Sequence, residues 1–332
     1  MSLLPLLDFS LFISGTPTKK KHFADALVQS FKDHGFVRLI NHPIPEEIMK
    51  GALSYSARFF NLPDEEKSRI RNIPGPHLQR GWSTVGVERT AQLREDNVQC
   101  WTGGGDDLTD EREHFDAGPL DDSLYPNRWP SEEQLPGFKA FIEQSYSLFQ
   151  DVSLQIMRIL ELGLGLEPDT FVSRCIPSAS ELRLNHYPSV DVAKLRAGNV
   201  KRTWPHTDFG IITLLVQGET GGLELEDRRR PGKFVPVPPN PKELVVNVSD
   251  TLQRWTNGVI TAGLHQVSPP PGFENLNSET LPERYSCVFF LKAGRDTSVG
   301  PLADFVTPER PQAYEEITAL EYQQRMTEKL YR

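Results

Sequence analysis

The sequence predicts a mainly β fold with flanking helices, either a β-sandwich or a jelly roll. Helical periodicity dominates the first half, short β-branched and aromatic runs dominate the second, and Gly and Pro clusters separate those runs. The chain has 332 residues, 38% of them hydrophobic, enough to bury the core of one large domain or two closely packed halves. It contains no internal repeat and no low-complexity segment.

The opening Met1–Asp8 is apolar, but it lacks a basic lead-in and is broken by Pro5 and Asp8. It is expected to be a strand, not a signal peptide. Phe23, Leu27, Val28 and Phe31 then share one face of a helix that stops at Gly35, and Phe36–Ile40 follows as a strand. Further helices are expected from Ile48 to Phe60 and from Phe138 to the glycines at 163 and 165. Ile211–Val216, Glu243–Val248 and Tyr285–Leu291 have the composition of buried strands. The prolines between 231 and 241, and Pro269-Pro270-Pro271-Gly272, mark turns between strands. Three stretches are expected: a helix-rich region with edge strands (1–175), a strand-rich core (176–300) and a C-terminal helical tail (301–332).

The charge balance is acidic, 36 Lys+Arg against 45 Asp+Glu for a net charge of −9, which disfavours a nucleic-acid partner. The basic runs Lys19–Lys21 and Arg228–Arg230 are expected to be solvated loop faces. Cys100, Cys175 and Cys287 are too few and scattered for a disulfide scaffold. No apolar run is long enough for a membrane span, and the expectation is a cytoplasmic protein, monomeric or a weak homo-oligomer.

Candidate chemistry concentrates in Trp204-Pro205-His206-Thr207-Asp208-Phe209-Gly210. In an extended chain, residues two apart point to the same side, so His206 and Asp208 can address one point. A His-x-Asp triplet alone is weak evidence, but His265 lies downstream after enough chain for several strands to return. Two imidazoles and one carboxylate on one face leave the opposite face of an octahedral metal open, the arrangement associated with Fe(II) that activates dioxygen. Arg284-Tyr285-Ser286 then opens another strand, placing a guanidinium and a hydroxyl on one side, a match for a carboxylate. His34, His42, His77 and His114 are expected to be structural or exposed, not ligands.

The string His-x-Asp, distant His, Arg-x-Ser resembles the isopenicillin N synthase-like branch of the Fe(II)/2-oxoglutarate-dependent dioxygenases. Asp33-His34-Gly35-Phe36, Ile40-Asn41-His42, Phe59-Phe60-Asn61-Leu62-Pro63, Arg80-Gly81-Trp82, Leu184–Pro188 and Gly221–Leu225 carry the resemblance along nearly the whole chain, in order. It implies a distorted jelly-roll (double-stranded β-helix) core with Fe(II) on His206, Asp208 and His265. It further implies 2-oxoglutarate on Arg284 and Ser286, with Asn185 and Tyr187 adding hydrogen bonds, and His186 turned away between them. The implied cofactors are Fe(II), 2-oxoglutarate and O2, with ascorbate as an ancillary reductant. No catalytic residue is implied beyond the metal centre, and Asp208 argues against a halogenase.

The implied reaction is oxidative decarboxylation to succinate and CO2 coupled to hydrogen abstraction from a small molecule, by hydroxylation or a radical ring expansion. The layout looks most like fungal members acting on small aromatic polyketides or on thymine; an oxidase working without 2-oxoglutarate and a non-enzymatic jelly-roll binder are the competing classes. Arg183, two residues before Asn185, shares its side of the strand and is expected to hold an aromatic substrate opposite Phe209 and Phe290. The alternatives are that Arg183 pairs internally with a carboxylate such as Glu181, and that the two Phe residues belong to the core.

Overall fold

The computed structural model describes residues 4–93, 108–270, 273 and 280–331. Cys100, Met1–Leu3 and parts of the 268–283 loop, including Pro271 and Gly272, lie outside the described residues.

Local signals build the first long helix, Pro17–His34. Thr16 accepts a hydrogen bond from the Lys19 amide at its start, Pro17 occupies the first turn, and Gly35 closes it in a left-handed conformation (φ 71°). Helices Glu46–Phe60 and Phe138–Leu164 follow the expected apolar stripes. The Arg228–Arg230 run is not uniformly solvated, because Arg228 donates to the Phe31, Lys32, Thr261 and Ala262 carbonyls and so covers the end of the Pro17–His34 helix. Carbonyls left open at a helix terminus are what a guanidinium satisfies best.

An eight-stranded sheet runs in the order Leu6–Asp8, Phe36–Ile40, Leu244–Val248, Ile212–Gln217, Arg284–Leu291, Glu181–Tyr187, Glu113–Ala117 and Gly81–Ser83. A four-stranded sheet, Phe234–Pro236, Leu223–Glu226, His265–Val267 and Thr203–His206, faces it. Leu215, Val245 and Val288 from the large sheet pack with Leu223 and Leu225 from the small one, so the two sheets form a jelly-roll core. Alternation sends the intervening residues to the other face: Phe289, Leu214, Leu182 and Leu184 lie in the core shared with the helices. Phe289 meets Tyr146 at 5.2 Å and Phe149 at 5.9 Å on the long helix. Each such fully buried aromatic contributes about 1.5–3 kcal/mol, which fixes the large sheet against the helices. Its inner face is thereby held rigid toward the small sheet.

Candidate active site

His206 closes the strand Thr203–His206 and His265 opens His265–Val267, and the two are register partners, with ring centroids 4.3 Å apart. Asp208 is not on the same strand as His206. It lies in the connection to Ile212–Gln217, so strand alternation does not explain the pairing. The large sheet positions it instead: Asp208 Oδ2 accepts from Thr213 Oγ1 at 2.6 Å and Asn247 Nδ2 at 2.8 Å. Thr213 and Asn247 are themselves direct cross-strand partners.

The opposite oxygen, Oδ1, lies 3.7 Å from His206 Nε2 and 4.0 Å from His265 Nε2. His206 Nδ1 donates to the Trp204 carbonyl at 2.8 Å, and His265 Nδ1 donates to the Gly263 carbonyl at 3.0 Å. That tautomer leaves both Nε2 lone pairs free, and three ligand atoms converge within 4.8 Å. Burial, then the neighbouring His265, holds the His206 pKa below its usual value, keeping the ring neutral. Burial works to raise the pKa of Asp208, but His265, His206 and the two hydrogen bonds outweigh it and keep Asp208 ionised. The donor set, tautomers and ionisation states fit a divalent iron site. Among the described residues no other cluster of His, Cys, Asp and Glu has this geometry.

One cavity extends from the three ligands to Arg284, Ser286, Tyr187 and Asn185. Arg284 is 1% exposed, donates from Nε to the Gly221 carbonyl at 2.7 Å and from Nη1 to Ser286 Oγ at 3.2 Å, and sits 4.8 Å from the Tyr187 ring centroid. Among the described residues it has no ion-pair partner within 4.0 Å. Asn185 donates to Ser286 Oγ at 3.4 Å, while its Oδ1 is buried and without a partner among the described residues. A buried guanidinium lacking an acid suits the far carboxylate of 2-oxoglutarate, whereas the unmet Asn185 Oδ1, an acceptor, calls for a donor. His186 points the other way, hydrogen-bonded to Glu113 at 2.8 Å and stacked on Tyr285.

A second cavity opens from His206 and Asp208 toward Phe209, Phe290, Arg183, Arg112 and Leu330. Phe209 and Phe290 both line it. Arg183 lines it too, but it is not a cation awaiting a ligand. Its Nε meets Asp116 at 2.7 Å, Nη1 meets Glu88 at 2.9 Å, and Nη2 meets Gln79 at 2.8 Å, Glu88 at 3.0 Å and Asp116 at 3.1 Å. Glu181 is not its partner, because Glu181 binds Arg80 at 3.0 Å and Lys292. Sequence reasoning missed Glu88, Asp116, Thr213 and Asn247. For Thr213 and Asn247 a signal existed, since each is the polar residue inside an otherwise apolar strand segment.

A jelly roll whose facing sheets bring two histidines and a carboxylate to one point defines a non-haem iron oxygenase. The family is shown by comparison. Residues 179–293 match the 2OG-Fe(II) oxygenase superfamily, and residues 4–132 match the non-haem dioxygenase N-terminal region named for morphine synthesis. The chain is 44% identical to the 2-oxoglutarate-dependent dioxygenase imqE of Aspergillus flavus, over 99% of this chain and 94% of that one. It is 47% identical to phqC of Penicillium fellutanum, over 96% and 93%. A full-length Neurospora crassa protein, solved in complex with alpha-KG and thymine, superposes with a TM-score of 0.85 at 30% identity over 98% of this chain and 96% of that one. The chain belongs to the Fe(II)/2-oxoglutarate-dependent dioxygenases, oxidoreductases that use Fe(II), 2-oxoglutarate and O2. No helix among the described residues is long and apolar enough to cross a membrane.

Proposed function

We propose that this dioxygenase oxidises a small aromatic or polyketide-derived substrate by hydrogen abstraction, with iron on His206, Asp208 and His265 and 2-oxoglutarate on Arg284, Ser286, Tyr187 and Asn185. The observation that carries the reading is that two cavities share His206, Asp208 and Phe290, so a cosubstrate and a substrate can reach one metal from different sides. When bound, iron with 2-oxoglutarate and O2 supplies the oxidising power for C–H cleavage, releasing succinate and CO2.

The protein supplies geometry. Arg284 neutralises the remote carboxylate from a buried position, and Ser286 fixes its orientation. Phe209 and Phe290 offer flat apolar walls to a ring, while Arg183 and Glu88 give the same cavity a polar side that can take hydrogen-bonding substituents. Leu93, Met326 and Leu330 pack with Phe209 and close that side against water.

A pyrimidine is the second reading, favoured by the likeness to the Neurospora crassa protein solved with thymine, also a small planar ring with hydrogen-bonding edges. The test is to supply Fe(II), 2-oxoglutarate and O2 with panels of phenolic acids, aromatic polyketides and pyrimidines, measuring succinate and product mass together. Stimulated succinate release with an oxidised aromatic product supports the reading. Stimulation by pyrimidines alone selects the second, and turnover without 2-oxoglutarate points to the oxidase class.

A further inference from the structure

Between the short helix Val192–Arg196 and the strands Val200–Lys201 and His265–Val267 lies a separate cavity of about 260 Å³. It shares only Val267 with the cavity that reaches all three metal ligands, and no residue with the one lined by Phe209 and Arg183. Its apolar lining is Val192, Leu195, Val200, Val267 and Phe273, its charged lining is Arg196, Lys201 and Arg202, and no acid lines it among the described residues.

Arg202 is the unusual member. It is 1% exposed, and its Nη2 donates to the Pro282 carbonyl, yet Nε and Nη1 are buried with no partner among the described residues. Burial, then the nearby charge of Arg284, draws its pKa down to about 10. Native proteins rarely leave a buried guanidinium with unmet donors, because nothing replaces the water it has lost. Arg202 lines the adjoining cavity, and an anion there would meet those donors once the side chain turns toward it. The surrounding apolar side chains require that the rest of such a ligand be hydrocarbon.

We propose that this cavity binds a small organic carboxylate with an apolar body, the carboxylate meeting Arg202 and the apolar part lying against Leu195, Val200 and Phe273. A second consequence rests on the assignment of Arg284 to 2-oxoglutarate, although the site itself does not. Arg202 binds the Pro282 carbonyl, two residues before Arg284, so both guanidiniums add to the positive potential at the cosubstrate's far carboxylate. An anion on Arg202 lowers that potential, and linkage requires the two ligands to weaken each other's binding equally.

The experiment is calorimetric titration of the full-length, Fe(II)-loaded protein with hexanoate under anaerobic conditions, with hexylamine as the control. Hexanoate is expected to bind and hexylamine not to bind. Arg202→Met abolishes hexanoate binding, and Leu195→Trp, which fills the cavity with Arg202 intact, abolishes it as well, so the result does not depend on one variant folding. Saturating hexanoate is expected to weaken 2-oxoglutarate binding about 5- to 10-fold in the wild type and not in Leu195→Trp. Absence of hexanoate binding, binding that survives both substitutions, or binding abolished by Arg284→Ala but not by Arg202→Met overturns the site. Binding at Arg202 with no change in 2-oxoglutarate affinity overturns the coupling alone.

Discussion

Replacing Asn247 by Leu should loosen the metal without touching a metal ligand. In the wild type, Asp208 Oδ2 is held by Asn247 Nδ2 at 2.8 Å and Thr213 Oγ1 at 2.6 Å, which turns Oδ1 toward the two imidazoles. Removing one donor leaves the carboxylate free to rotate and less well solvated in a buried site. Losses of this kind reduce metal affinity about 10- to 100-fold, equivalent to about 1.4–2.8 kcal/mol. The lower end is expected here, since Thr213 still binds the same oxygen. Thr213→Val combined with Asn247→Leu should therefore cost more than the two single losses added together, because each donor covers for the other. The assay is anaerobic Fe(II) titration alongside thermal unfolding with and without metal, since a weaker site yields a smaller metal-induced rise in Tm. Wild-type Fe(II) affinity and a wild-type metal-induced shift in folded Asn247→Leu would refute the argument that this pair orients Asp208.

Three further outcomes follow from the same geometry. Arg284→Ala removes the buried cation assigned to the remote carboxylate; the apparent 2-oxoglutarate constant should rise about 30-fold or more while Fe(II) affinity measured by titration stays near wild type. Arg183→Ala strands Asp116 in the interior and leaves Glu88 with Arg112 alone as its guanidinium partner, and should lower stability to chemical denaturation by about 3–5 kcal/mol, whereas a purely substrate-contacting Arg would leave stability unchanged. Burial raises Asp110 to about 7 from its ordinary 3.8, against the pull of Arg112 and Thr90, so the folded chain retains a proton that the unfolded chain gives up. That contribution to stability is fully present below the unfolded value of 3.8 and is lost as pH rises through the folded value of about 7. In Asp110→Asn the Tm relative to wild type should therefore climb between about pH 4 and 7, and a flat difference would show that Asp110 does not carry the proton.

Features written in local sequence were legible. Thr16, Pro17 and Gly35 bracket one helix, and the apolar stripe of Phe138–Leu164 persists for many turns. The neighbours in the large sheet were not legible, because Phe36–Ile40 pairs with Leu244–Val248 across most of the chain. Glu113–Ala117 was hidden for another reason. Its Glu113, His114 and Asp116 look like an exposed polar stretch until Lys67, Trp82 and Arg183 are brought to meet Glu113 and Asp116 in the interior. The pairing of His206 with Asp208 was anticipated on an incorrect ground, since tertiary hydrogen bonds and not strand alternation aim the carboxylate.

Arg183 and Arg284 show where reasoning from a buried charge succeeds and where it fails. Both sit on the inner face of the large sheet, and the alternation of Arg183, Asn185 and Tyr187 toward the cavities is as the period of two requires. The premise that a buried guanidinium needs an acceptor also holds for both. What differs is the source of the acceptor. Arg183 finds Asp116 and Glu88, which are 67 and 95 residues away in sequence, so no local pattern could have announced them. Arg284 finds a carbonyl and a hydroxyl but no acid among the described residues. The useful criterion is therefore not a cation on the cavity wall but a cation whose charge the fold leaves unmatched. By that criterion Arg284 and Arg202 call for an anionic ligand, and Arg183 shapes a cavity whose charge is already balanced.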